Sequence, residues 1–310
     1  MVYFSRHKGP VRPRAPGEKK QITNMNSKPN QPENQPAAAN GTDLIISSLQ
    51  NDRVKEVVKL RRRPHRDEHR RLIIEGYREI KRAMDNQHQP VFLFYCQDFF
   101  LGRNEPALIR RCREAEAECF RCTPAVFRKM AYRDRPEGLL AVAPYVRSTL
   151  TDLQLSPAPL ILVAEAIEKP GNLGTLLRSA DAVGVDAVIV CDQCTDIHNP
   201  NVVRASIGTL FALPVIEASS REAIDWLHTH GIRIVAATPH ADMEYAQAEL
   251  RQGIAIVVGT EQVGLSSLWM SAAELKIRIP MRGQTDSLNV AAAATILLFE
   301  ARRQRQEQDR

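Results

Sequence analysis

Apolar positions recur along this chain with two different periods, and the changes between them divide it. Leu44, Ile45, Ile46 and Leu49 precede Val54, Val57, Val58 and Leu60, whose helical spacing predicts a helix that also carries Arg53, Lys55, Lys59, Arg61, Arg62 and Arg63. Leu72, Ile73 and Ile74 form a short apolar run, predicting a buried strand over 72–76 that leads into a helix over 77–84. Runs at 91–95 and 139–143 predict further strands, so residues 43–147 read as a small α/β domain. Ser148, Thr149, Ser156, Pro157 and Pro159 then break the pattern and mark a linker over 148–159. Beyond it, over 160–310, strands at 160–166, 187–190, near Val215, 233–237, 254–258 and 275–279 alternate with helices. The helices are expected from about Asn172, near 202–210, over 221–230 and over about 288–303. Such alternation predicts a mostly parallel sheet covered on both faces, with ligands gathered at the carboxyl ends of its strands.

Residues 1–42 hold six prolines, seven Lys and Arg and almost no periodic apolar positions. They cannot bury enough surface to offset ordering entropy, which predicts a disordered basic tail. No run approaches the roughly 18 apolar residues of a membrane span, and the start lacks the apolar region of a secretory signal. A cytoplasmic protein without a membrane partner is expected.

Charge adds a division that hydropathy does not show. Residues 1–150 carry 29 Lys and Arg against 17 Asp and Glu, net +12, whereas residues 151–310 carry 13 against 19, net −6. A basic module that finds a polyanion, joined to a neutral or acidic module with another task, fits this segregation. Arg61, Arg62, Arg63, Arg66, Arg70 and Arg71 fall within eleven residues and are offset only by Asp67 and Glu68, a density suited to binding RNA phosphates. A solvated basic face is the competing reading. Cys119 and Cys122, and Cys191 and Cys194, have metal-like spacing, but 69 residues and a domain boundary separate the pairs, so free thiols and no metal are expected.

Three loops at or after strand ends hold residue types that packing alone does not require. In the first, Gly171 and Gly174 allow close backbone approach, Asn172 suits a helix N-cap, and Arg178 follows one to two turns later. The second runs from Gly259 to Ser266, but Leu265-Ser266 replaces the Lys-Ser/Thr that a phosphate-cradling P-loop needs after its second glycine. In the third, a strand ends at Pro280, a polar loop follows, and Ser287 and Asn289 flank the start of a helix with four consecutive alanines, 291–294.

Together the segments Asn172-x-Gly174-x-x-x-Arg178-x-Ala180, Gly259-x-Glu261-x-x-Gly264-Leu265 and Ile279-Pro280-Met281-x-Gly283 through Ser287-Leu288-Asn289-Val290 resemble, in order and spacing, the three motifs of the SpoU (TrmH-like) family of RNA ribose 2'-O-methyltransferases within the SPOUT superfamily. Ser48-Leu49-Gln50-Asn51-x-Arg53-Val54-Lys55 and Glu75-Gly76-x-Arg78-Glu79-Ile80 are similar to the ribosomal-protein-like RNA-binding domain that often precedes the catalytic one. The resemblance implies a C-terminal trefoil knot, a rare exception to ordinary chain topology. It also implies S-adenosyl-L-methionine as cofactor, held near Gly259, Ile279, Leu288 and Thr238, and a homodimer formed through the C-terminal domain. Thr260, Gln262 and Ala291 depart from residues common in the family at those positions.

For chemistry, the resemblance implies Arg178, Asn172, Glu261, Ser287 and Asn289. A guanidinium pKa above 12 argues for Arg178 as phosphate clamp and oxyanion stabiliser rather than base. Asn172 and Asn289 would orient the ribose or the arginine, Ser287 would bind a nearby polar group, and Glu261 would hold the second loop or Arg178. The expected substrate is structured RNA of 23S ribosomal type. A transfer RNA substrate, base rather than ribose methylation, and a catalytically inactive RNA-binding assembly factor of the same fold are the alternatives.

Overall fold

Backbone hydrogen bonds of residues 44–308, the part of the chain described by a computed structural model, close two sheets. The tail expected over 1–42 lies outside the described residues. Chain order in the first half is β1 (Leu44–Ile46), α1 (Asp52–Lys59), α2 (Arg63–His69), β2 (Arg71–Glu75), α3 (Tyr77–Asp85), β3 (Phe92–Tyr95), α4 (Glu105–Glu114), β4 (Glu118–Cys122), α5 (Pro124–Met130) and β5 (Leu139–Pro144). Its strands lie in the order β1-β4-β3-β5-β2; β1, β3 and β4 run parallel, and β5 is antiparallel to both β2 and β3.

The second half comprises β6 (Leu160–Glu165), α6 (Pro170–Val183), β7 (Ala187–Cys191), α7 (Pro200–Ala205), β8 (Val215–Ala218), α8 (Ser220–Thr229), β9 (Arg233–Ala237), β10 (Met243–Glu244), β11 (Ile254–Val258), α9 (Ser267–Ala272), β12 (Leu275–Arg278) and α10 (Val290–Gln308). Its order is β10-β12-β9-β11-β6-β7-β8, and every pairing is parallel. The central strands β6 and β11 are apolar without alternation because both faces are covered. Leu162, Ile256 and Val258 pack on the face shared with α6 and α10, whereas Ile161, Val163 and Val257 join Leu227 of α8 and Trp269 of α9 on the other. The fully buried Trp269 donates from its indole to the Ser220 hydroxyl at 2.7 Å, which satisfies its one polar atom. Among the described residues no helix is long and apolar enough to cross a membrane.

Several expectations need correction. Leu44–Ile46 is an edge strand beside β4, and the helix expected to carry Arg61, Arg62 and Arg63 stops at Lys59. Pro64 accounts for the break, since a proline is tolerated in a first helical turn and starts α2 anew. The helix expected near 202–210 is α7 followed by a 3-10 turn, Thr209–Phe211, with Ile207 and Gly208 left-handed between them. Gly208 is required there: a Cβ would lie 3.0 Å from the Cα of Glu79 in α3, so the second half touches the first backbone to backbone. The short or weakly patterned β4, β10, α4, α5 and α9 were not anticipated.

A continuous apolar cluster runs from Leu72 and Leu93 through Leu160 and Val203, so the two sheets share a core. Polar ties flank it. The Arg66 guanidinium pairs with Asp196 and donates to the carbonyls of Leu60 and Arg61. Arg82 donates to Ile207 O at 2.7 Å, and the Asn201 amide donates to the Tyr132 hydroxyl at 2.9 Å. Tyr145 and His198 stack with ring centroids 3.7 Å apart and nearly parallel planes, and burial holds the His198 imidazole well below its usual pKa, so it is neutral.

Candidate functional site

The three loops singled out in the sequence leave the carboxyl ends of β6, β11 and β12, and two of them meet the starts of α6 and α10. Lys169 occupies the N-cap position of α6 without a side-chain cap, and Pro170 is the first helical residue, so Asn172, expected as the cap, stands one turn in and its side chain is free for the junction. Asn289 caps α10: its side-chain oxygen accepts from the backbone N–H of Ala291 at 3.1 Å and of Ala292 at 3.4 Å. The second loop is a tight hairpin in which Thr260 and Gly264 exchange backbone hydrogen bonds of 3.1 and 3.2 Å. Gly259 has no alternative in it, because a Cβ there would lie 2.3 Å from Gly264 O. Buried Glu165, at the end of β6, accepts from Ser266 N at 2.9 Å and anchors the hairpin's return.

These loops converge on one carboxylate. Glu261 Oε1 accepts from the Asn172 amide at 3.1 Å and the Asn289 amide at 2.6 Å, while Oε2 accepts from Lys169 Nζ at 2.5 Å. Asn289 also donates to Asn172 Oδ1 at 3.1 Å. The Lys169 contact holds the Glu261 carboxyl below its usual pKa, with Asn172 contributing in the same direction. Because the folded pKa is the lower one, this contribution to holding the loops together is complete above the ordinary carboxylate range and fades as pH falls through the lowered value. Lys169 was not singled out in the sequence. A lysine before a proline in a loop reads as solvated, and its engagement appears only once Glu261 is placed beside it.

Arg178 does not join this junction. It lies six residues beyond Asn172, about 9 Å along α6 and on a face turned by about 120°. It is exposed and makes no side-chain hydrogen bond or ion pair among the described residues. Gly174 serves α6 packing rather than ligand approach, since a Cβ would lie 2.4 Å from the Cβ of Ala205 in α7. Ser287 is exposed and without a side-chain partner among the described residues, and Leu288 beside it is 37% exposed. Ile279 and Thr238 are half-buried at neighbouring strand ends, with Thr238 N donating to Ile277 O at 2.9 Å.

The cavity at the junction, lined by Ile167, Lys169, Asn172, Glu261 and Val290, is about 60 Å³. That is far below the roughly 300 Å³ of a small-molecule site, so a nucleoside-sized cofactor has to use the open side between the Gly259 hairpin and the 279–288 segment. There Ile279 and Leu288 offer apolar surface, and the exposed residues 261–264 of the hairpin offer polar groups, whereas Gly259 itself is buried with its Cβ position filled by Gly264 O. This is the mixture an adenosine with a polar tail requires, and the residues fit such a group.

The arginine patch expected over 61–71 is not one surface. Arg66 is 2% exposed and committed to Asp196, which removes it from RNA contact; a guanidinium cannot both neutralise a buried carboxylate and reach a phosphate. Arg61 donates to the carbonyls of Lys129 and Ala131, Arg71 pairs with Glu56, and Arg63 pairs with Asp67 and reaches Gln193. Arg62 and Arg70 are exposed and have no side-chain partner among the described residues.

Comparison with known proteins places these features. Residues 159–299 match the SpoU rRNA Methylase family, and residues 51–141 match an MRM3-like substrate binding domain. The chain is 28% identical to the 23S rRNA (guanosine(2553)-2'-O)-methyltransferase RlmP of Bacillus subtilis over 83% of this chain and 98% of that protein. Among solved structures, an RNA 2'-O ribose methyltransferase superposes with a TM-score of 0.76 at 42% identity, covering 85% of this chain and 100% of that one. The SpoU methyltransferase AviRb of Streptomyces viridochromogenes, in complex with the cofactor AdoMet, superposes with a TM-score of 0.76 at 29% identity, covering 83% and 100%.

Proposed function

The chain belongs to the SpoU rRNA methylase family, and from that premise we propose that it transfers a methyl group from S-adenosylmethionine to a ribose 2'-hydroxyl of structured RNA, with 23S-type ribosomal RNA as substrate. The observation that carries this reading is the Glu261 junction, which draws Asn172 and Asn289 together across 117 residues of sequence at the reactive end of a parallel sheet. The similarity to RlmP, a 23S rRNA (guanosine(2553)-2'-O)-methyltransferase, supports the substrate, and the AdoMet complex of AviRb supports the cofactor.

Gly259, Ile279 and Leu288 would hold the cofactor, with Thr238 at the rim. When bound, S-adenosylmethionine supplies a methyl group made electrophilic by a sulfonium. The remaining task for the protein is to orient the 2'-hydroxyl and to stabilise the negative charge that develops on its oxygen. Asn172 and Asn289, fixed against Glu261, are positioned donors and acceptors for the ribose. Arg178, which turns away from the junction of its own chain, would reach the junction of a second copy across a dimer of C-terminal halves, where it would clamp a phosphate and stabilise the developing oxyanion, and the proton leaves to water or to an RNA phosphate. Ser287 meets a polar group of the bound ligands. The route from β12 back across the sheet to α10 is the segment where the family's knot would be threaded.

A homodimer through the C-terminal half is part of this proposal. Thr175, Arg178 and Ala182 on α6 lie exposed beside α10, which presents Ala292, half-buried Ile296 and 51%-exposed Phe299. Covering this face in a dimer would remove its apolar side chains from water and bring Arg178 to the interface. Phe299→Glu is expected to halve the mass measured by light scattering; an unchanged mass for a dimeric wild type would move the interface elsewhere.

The function is tested by incubating the purified chain with S-adenosylmethionine and protein-free 23S ribosomal RNA, then digesting the RNA and weighing its nucleosides. A ribose-methylated nucleoside is expected. A methylated base, or RNA left unmodified by a chain that binds the cofactor, would overturn the reading.

A further inference from the structure

A groove of about 690 Å³ lies on the seam between the two halves, at the amino end of β8 and therefore away from the Glu261 junction. Arg70, Asn86, His88, Tyr145 and Arg147 line it from the first half and its exit, and the 210–214 segment lines it from the second. Its chemistry is one-sided. Arg70 and Arg147 are exposed guanidiniums without a side-chain hydrogen bond or ion pair among the described residues, and no carboxylate lines the groove. Asp67, adjacent to it, is occupied by the Tyr145 hydroxyl at 2.9 Å and by Arg63 at 3.4 Å.

The backbone gives an independent reason to look here. Arg70 ends α2 in the left-handed region, at φ 51° and ψ 40°, a conformation in which glycine or asparagine is favoured and a long side chain is strained. Backbone strain of this kind is tolerated where the side chain it carries is put to use. His88 adds a second polar group: its ring stacks on Phe211 at 4.9 Å and donates from Nε2 to Pro144 O at 2.8 Å, so in the neutral ring Nδ1 is an acceptor. Burial lowers the His88 pKa and keeps the ring neutral.

We propose that this seam groove is an RNA-backbone subsite, in which Arg70 and Arg147 hold phosphates and His88 and Asn86 face ribose hydroxyls, anchoring the substrate at a distance from the nucleotide that is methylated. Cations paired with neutral acceptors match a phosphodiester chain that carries 2'-hydroxyls. Because residues of both halves form the groove, the shared core fixes it relative to the Glu261 junction. RNA held there is presented at one spacing from the reaction site. The inference rests on RNA being the substrate but not on the catalytic roles assigned above.

The test uses the full chain and a 23S ribosomal RNA transcript. Arg70→Gly with Arg147→Ala is expected to weaken RNA binding about tenfold near 0.1 M salt and to reduce the slope of log affinity against log salt by about 1.4–1.8, the share of two phosphate contacts. Cofactor affinity should not change, whereas methyl transfer at subsaturating RNA should fall in step with RNA affinity. Arg70→Gly alone should leave the melting temperature unchanged or raise it, because glycine relieves the left-handed strain, and yet weaken RNA binding; a structural role would move both quantities downward together. Arg147→Glu, at an exposed position without partners, gives the same readout independently of Arg70. If the wild type methylates the transcript while these variants bind it with unchanged affinity and slope, the groove is not an RNA site and the catalytic reading stands. Wild type that binds the transcript in a groove-dependent way without transferring methyl removes the catalytic reading and leaves the groove. Absence of RNA binding by the wild type removes both.

Discussion

Arg178→Ala is expected to lose about 10²-fold or more in single-turnover methyl transfer while remaining folded, unchanged in mass by light scattering and able to bind S-adenosylmethionine. Its side chain is exposed and unpartnered among the described residues, so a merely structural arginine at this position would change stability by less than about 0.5 kcal/mol and leave turnover intact. A stabiliser of charge at the reacting ribose is a different matter, since removing one such donor typically costs about 10²–10³ in rate. Arg178→Lys distinguishes two ways of acting. A point charge near the oxyanion is partly restored by an ammonium, whereas a two-pronged grip on phosphate is not, because lysine lacks the planar fork. Measurements at saturating RNA keep weakened binding from being read as slower chemistry. Near-normal turnover in the alanine variant would remove Arg178 from the mechanism and leave the Glu261 junction to carry it.

Arg66→Ala is expected to destabilise the fold by about 3–5 kcal/mol, the cost of leaving a buried charge without its partner. Arg66 is 2% exposed, and the side chain of its partner Asp196 is 7% exposed. The truncation would also strand the carbonyls of Leu60 and Arg61, which accept from the same guanidinium at 3.0 and 2.8 Å. Arg66→Met combined with Asp196→Asn should recover part of the loss, because it removes both charges while the amide oxygen can still accept from His198 N, as Asp196 does at 2.7 Å. Denaturant unfolding of the two variants decides the matter. A single variant within about 1 kcal/mol of wild type would mean that the pair does not hold the two halves together. A loss of RNA affinity at unchanged stability would return Arg66 to the RNA-contacting arginines. The expected sign is the reverse: lost stability, with RNA affinity altered only through the fold.

The sequence by itself determined most of the second sheet. The strands around Leu162, Ile189, Val235 and Ile256 are short apolar runs because both their faces are covered, and that burial is written residue by residue. It also marked the loops at the strand ends, where Asn172, Glu261 and Asn289 could not be explained by packing. Elements whose apolar signal is short escaped it: α9 buries only Trp269, and β1 is a three-residue edge with Leu44 and Ile45 exposed. What only the tertiary structure decided is which polar groups are already engaged. Arg66 and Arg70 are alike in sequence, four residues apart in one basic run. Yet Arg66 meets Asp196, 130 residues on, and is buried, while Arg70 stands strained and open at the seam. Likewise Lys169 finds Glu261 across 92 residues, and Arg178, six positions beyond Asn172, turns away from the same junction. Burial follows from a residue's own hydropathy and period, which are local. The partner of a charge is set by where the folded chain brings distant residues together, and local pattern carries no record of that.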